Sequence, residues 1–91
     1  MALVTFLPRA ERDLLELPAP QQQEILSQDE LLQALPYLGG SMEGAYQGYR
    51  YLLVGRKNRF RLIYKVVHDD LVEVAYIRHC RRQLGLRPMD S

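Results

Sequence analysis

The sequence predicts an α+β fold: an N-terminal strand, a helical hairpin, then a three-stranded antiparallel meander whose sheet packs on the two helices. Three observations carry this. The apolar residues recur with helical spacing before Pro36 and with a period of two after Gly48. Pro8, Pro18 and Pro20 stand where helices start or stop. Short turn-forming stretches cut the second half into segments of strand length.

Taken in order, "LVTFL" at residues 3–7 is short, β-branched and aromatic, and reads as a strand. "PRAERDLLEL" follows as the first helix, opened by Pro8 and closed before Pro18. Pro20 suits the first turn of a second helix, "PQQQEILSQDELLQAL", over residues 20–35. Leu14 and Leu17 on the first helix, with Ile25, Leu32 and Leu35 on the second, form one apolar stripe for the sheet to cover. "PYLGGSMEGAYQG" is a glycine-rich loop. The meander is then "YRYLLV", a "GRKN" turn, "RFRLIYKVV", an "HDD" turn and "LVEVAYI". One domain spans residues 1–91, with a tail from about residue 84 expected to be poorly ordered.

Side chains alternate between the faces of a strand, so the pattern assigns each one a side. Phe60, Leu62, Tyr64 and Val66 face the helices, while Arg59, Arg61, Lys65 and Ile63 face away. Val72, Val74 and Tyr76 join the core set, and His79 and Arg81 follow just past the last strand. Arg50 falls on one face with Leu52 and Val54, and antiparallel pairing is expected to bring it within reach of Arg61. The expectation is a single open sheet face lined with arginine.

The net charge of +1 conceals a segregation. Residues 1–48 carry two basic and seven acidic side chains, whereas residues 49–91 carry ten basic and four acidic ones. Such a division fits either a polyanionic partner at one side of the molecule or a solvated surface whose charges offset one another. No run is long and apolar enough for a membrane helix and the N-terminus lacks signal-peptide features, so a cytoplasmic protein without membrane partners is expected. Cys80 is the only cysteine, and His68 and His79 give no zinc spacing, so neither a disulfide nor a metal nor another cofactor is expected.

The order of these elements, with "GYRYLLVG", "FRLIYKV" and "VEVAYIRHCRR" in sequence, resembles the RelE/ParE superfamily of bacterial type II toxins. The resemblance implies a toxin held in check by a cognate antitoxin. It implies one of two activities: cleavage of mRNA, commonly on the ribosome, or inhibition of DNA gyrase. For the ribonuclease branch it places a catalytic arginine at Arg61. RNA carries its own nucleophile in the 2′-OH, so such an enzyme must position the phosphate, move two protons and offset charge on phosphorus, and it needs no metal. Arg61 suits the charge-stabilising role, since a guanidinium is permanently cationic and forks onto two phosphate oxygens, and Arg81, also a catalytic candidate, could with Arg50 hold the phosphate or the flanking backbone. His79 is the candidate for proton transfer, because an imidazole titrates near neutrality. Arg50, Arg59, Lys65, Arg78 and Arg82 are candidates for holding the RNA backbone, and Tyr49 or Tyr51 for stacking on a base. The chain departs from well-known ribonuclease members in having Arg50 and Leu52 where they carry a lysine pair, and in lacking a tyrosine after Tyr76. Glu43 is a further candidate base. Cys80 reads as a structural cysteine, and an inactive toxin fold serving as a binding protein is a third possibility for function.

Overall fold

The computed structural model describes residues 1–80. One five-stranded sheet, in the order β1-β5-β4-β3-β2, carries three helices on one face. Its strands are β1 (Leu3–Phe6), β2 (Gly40–Ser41), β3 (Arg50–Val54), β4 (Phe60–His68) and β5 (Leu71–His79). The helices are α1 (Pro8–Leu15), α2 (Ala19–Leu26) and α3 (Asp29–Ala34). The α+β class and the β3-β4-β5 meander are as the sequence predicts.

Several local features differ, each for a physical reason. The second helix of the hairpin breaks at Ser27–Gln28, where the Ser27 hydroxyl donates to the Glu24 carbonyl at 2.7 Å and competes with the helical ladder. Leu35 ends α3 and is 51% exposed instead of joining the core stripe. β2, within the expected loop, adds a two-residue strand to the edge of β3. β1 lies parallel to β5, so the first and last strands are neighbours.

The β3–β4 turn forms where "GRKN" predicts it. Gly55, Lys57 and Asn58 all adopt left-handed backbone, with φ of 84°, 59° and 53°. A β-carbon on Gly55 would also meet Glu24 Oε1 and the Phe60 ring, each at 3.2 Å.

The core joins Ala10 and Leu14 of α1, Ile25 of α2 and Leu32 of α3 to Val54, Phe60, Leu62, Tyr64, Val72, Val74 and Ile77 of the sheet. Along β3, and along β4 as far as Val66, the alternation holds: Leu52 pairs with Leu62 and Val54 with Phe60 on the helix side, Tyr51 with Ile63 and Leu53 with Arg61 on the other. Along β5 it inverts once. Ile63 pairs with Tyr76 but the next residue, Tyr64, pairs with Val74, so Ala75 is an extra residue in the ladder. Such a bulge resets which face each later side chain takes. Val72 and Val74 face the helices before it, and Ile77 and His79 after it. Tyr76, expected in the core, is turned to the open face with Arg78.

Candidate functional site

The bulge at Ala75 composes the open face. Three cross-strand rows succeed one another there: Glu73 opposite Lys65, Tyr76 and Tyr51 flanking Ile63, and Arg78 opposite Arg61. Ile63 is fully buried although it points away from the helices. On the same face the rings adjoin one another, for Tyr46 meets Tyr76 edge-on at 5.8 Å and Tyr49 at 6.3 Å.

Cations lie on these tyrosines. The Arg61 guanidinium is 5.2 Å from the Tyr51 ring centre and that of Arg78 is 4.8 Å from Tyr76. Lys65 Nζ stands 5.9 Å from the Tyr49 ring. Attraction to the negative ring face holds each charge without neutralising it. Arg61 and Arg78 are direct cross-strand partners, an arrangement of like charges that costs stability. Among the described residues neither has a carboxylate partner, and the Nε of each is buried without a hydrogen bond. A phosphate between them would relieve the repulsion and accept from the Nη donors of both guanidiniums.

Two other expected members lie elsewhere. Arg50 is on the helix side, opposite Tyr64, and does not reach toward Arg61. Its Nη1 donates to the carbonyls of Gly39 at 2.7 Å and Tyr37 at 3.3 Å, and its guanidinium stacks on Tyr37. Tyr37 Oη in turn donates to Asp69 at 3.1 Å, and the Gly39 amide donates to buried Tyr64 Oη at 2.9 Å. Arg50 thus ties the loop before β2 to the sheet. Arg59 lies in the turn before β4, not on the strand; it is exposed, and its carbonyl accepts from the Cys80 amide at 2.8 Å.

His79 is the last residue of β5 rather than past its end. It sits opposite Phe60, ring centres 5.4 Å apart and nearly perpendicular, on the helix side of the sheet from Arg61 and Arg78. Glu43 is exposed just before the short helical turn Gly44–Tyr46. Cys80 is half-buried, and burial pushes its thiol pKa up, only partly offset by the charge of Arg61. A protonated thiol is a poor nucleophile. Arg81, Arg82 and the tail lie outside the described residues.

Sequence reasoning missed the role of Tyr76 as a carrier of the cationic face, and of Tyr46 as the ring that packs edge-on against it. The signal for Tyr76 is hidden by the bulge, since strict alternation puts it with Val72 and Val74. Among the described residues, no group of His, Cys, Asp and Glu is arranged to hold a metal ion, and no helix is long and apolar enough to cross a membrane.

Residues 4–84 match the family described as the ParE toxin of type II toxin–antitoxin systems, parDE. The chain belongs to this family, within the RelE/ParE superfamily. Solved structures share the toxin's fold. A chain of the RelBE2 toxin–antitoxin complex from Mycobacterium tuberculosis superposes with a TM-score of 0.73 at 22% identity, covering 86% of this toxin and 96% of that chain. One from the intact E. coli RelBE complex gives 0.71 at 15%, with 87% and 96% covered. One from the chromosomal ParDE system of P. aeruginosa gives 0.65 at 21%, with the same coverage. No curated protein matches the sequence. The protein is the toxin of a type II toxin–antitoxin system.

Proposed function

We propose that this toxin is a metal-independent endoribonuclease acting on mRNA, and that the scissile phosphate sits between Arg61 and Arg78. The observation that carries the reading is the opposed pair itself, two half-buried arginines with no carboxylate partner among the described residues, on a tyrosine-rich surface. Aromatic rings beside phosphate-binding arginines are what single-stranded RNA requires. In the reaction the 2′-oxygen bonds to phosphorus as the bond to the 5′-oxygen breaks. One proton leaves the 2′-OH and one reaches the leaving oxygen. Arg61 and Arg78 offset the charge that develops on the phosphate oxygens between these events. Arg81 and Arg82 are proposed to contribute further positive charge to RNA binding. A cognate antitoxin that covers this face is the proposed means of control, in keeping with the neighbours that were solved as toxin–antitoxin complexes.

Inhibition of DNA gyrase is the second reading. It is favoured by the family match to ParE and by the placement of His79 on the face away from the arginine pair. Incubating the purified toxin with mRNA on programmed ribosomes, and separately with gyrase and relaxed plasmid, separates the two. Cleaved message with unimpaired supercoiling is the expected result. Intact message with blocked supercoiling would replace the first reading with the second.

A further inference from the structure

We infer that the anion-binding face continues past Arg61 and Arg78 onto helix α1, where Arg9 binds the phosphate backbone of single-stranded RNA beside the scissile group. This rests on the ribonuclease reading above, and it assigns a role to a residue whose spacing alone suggests an ordinary solvated helix position.

Arg9 is the second residue of α1, and it is exposed. Its guanidinium lies 5.2 Å from the centre of the Tyr76 ring, the same ring that carries Arg78 at 4.8 Å. The two cations are therefore no farther apart than the sum of those distances, and one aromatic side chain links them. Tyr76 reaches the open face only because Ala75 is bulged, so the device that places Arg78 opposite Arg61 also supplies the platform for Arg9.

Charge accounting around Arg9 points the same way. The carboxylate one helical turn on, Asp13, is the natural partner for a helix-surface arginine. It is committed elsewhere: Asp13 Oδ2 accepts from the Ile77 amide at 3.3 Å, on the stretch of β5 beyond its pairing with β1. Among the described residues Arg9 has no ion pair, and its guanidinium lies on the Tyr76 ring. Arg9, Arg78 and Arg61 thus form a series of three guanidiniums without an ion pair among the described residues, from α1 across β5 to β4. A ring face holds a guanidinium flat and leaves its N–H edge available for phosphate oxygens. A backbone with one negative charge per nucleotide matches a line of cations better than a single anion does, and the Tyr46–Tyr76 pair beside the line offers aromatic surface to the adjoining base.

The test is equilibrium binding of the full-length toxin to a short single-stranded 2′-O-methyl RNA, which cannot be cleaved for want of a 2′-OH, followed by fluorescence anisotropy over a salt series. Each lost phosphate contact lowers the slope of log K against log salt by about 0.7 for single strands. Arg9→Gln is expected to lower the slope by that amount, as is Arg61→Gln, and Arg9→Lys, which keeps the charge, is expected to retain it. Circular dichroism shows whether each variant keeps the fold, and a purely structural role for Arg9 would leave the slope unchanged. An unaltered slope in Arg9→Gln beside a lowered one in Arg61→Gln overturns this inference and leaves the ribonuclease reading standing. Absence of RNA binding by the unmodified toxin, or a slope indifferent to Arg61→Gln, overturns that reading and the inference together.

Discussion

Arg50 and Arg61 are two arginines on paired strands whose replacement is expected to have opposite effects. Arg61 makes its contact to an open-face ring, so Arg61→Ala should abolish growth arrest on overproduction while shifting stability by no more than about 0.5 kcal/mol. Arg50 holds two carbonyls and the Tyr37 ring, so Arg50→Ala should cost about 1–3 kcal/mol in urea unfolding and leave the intrinsic toxicity of the folded fraction intact. A toxic Arg61→Ala protein would remove the open face from the mechanism. The sequence held part of this distinction, since Arg50 shares its strand face with Leu52 and Val54, which face the core. Its positive charge suggested the other side, and only the carbonyls of Tyr37 and Gly39 explain how a cation is accommodated there. His79 is the other residue-scale case. With its ring against Phe60, His79→Gln should slow single-turnover cleavage by less than about tenfold, below the 100-fold or more expected for loss of a positioned acid or base. A loss of 100-fold with a flattened pH profile would return the proton transfer to this imidazole.

The elements most legible in the sequence were those with strong periodicity: α1, β3 and β4 follow from proline placement and alternating apolar residues. The break between α2 and α3 depends on one hydroxyl bond from Ser27, and the bulge at Ala75 on a ladder formed with β1 on one side and β4 on the other. Neither is a property of local composition. The start of α3 offers a test at this scale. Burial raises the pKa of Asp29 above its ordinary 3.8, and its Oδ1 is buried without a hydrogen bond. A folded-state pKa above the unfolded one means that the native state prefers the neutral acid. The penalty is therefore absent below pH 3.8 and complete above the raised value. Asp29→Asn should raise the thermal midpoint at pH 7, with the gain over the unaltered toxin vanishing as pH falls below 3.8. An advantage independent of pH would show that the effect is not ionisation. At the β3–β4 turn, Gly55→Ala should cost at least about 1 kcal/mol, because a left-handed backbone and two 3.2 Å contacts both oppose a β-carbon.

Across the whole molecule the charge segregation read from the sequence becomes a division between layers. Glu11, Asp13, Glu24, Asp29 and Glu30 lie on the helices, with Glu16 just past the end of α1, and Arg61, Lys65 and Arg78 lie on the far side of the sheet. A polyanion is thus attracted to one face and repelled from the other, and a proposed antitoxin segment that neutralises the toxin should occupy the cationic face. A peptide from such an antitoxin is expected to compete with RNA in a binding assay; simultaneous binding of both would place inhibition elsewhere on the surface. The interior position of β5 has a further consequence, for synthesis rather than for binding. It is the last made of the described strands, yet it pairs with both β1 and β4 and supplies Val72, Val74 and Ile77 to the core. A growing chain cannot close this sheet before β5 emerges, because contacts between distant parts of a chain must await both partners. Arg78 arrives with that same strand. A message cut or abandoned before the codon for Leu71 therefore yields a polypeptide that has neither the finished fold nor the opposed arginine pair, so failed translation of this gene leaves an inert fragment and not a partial poison.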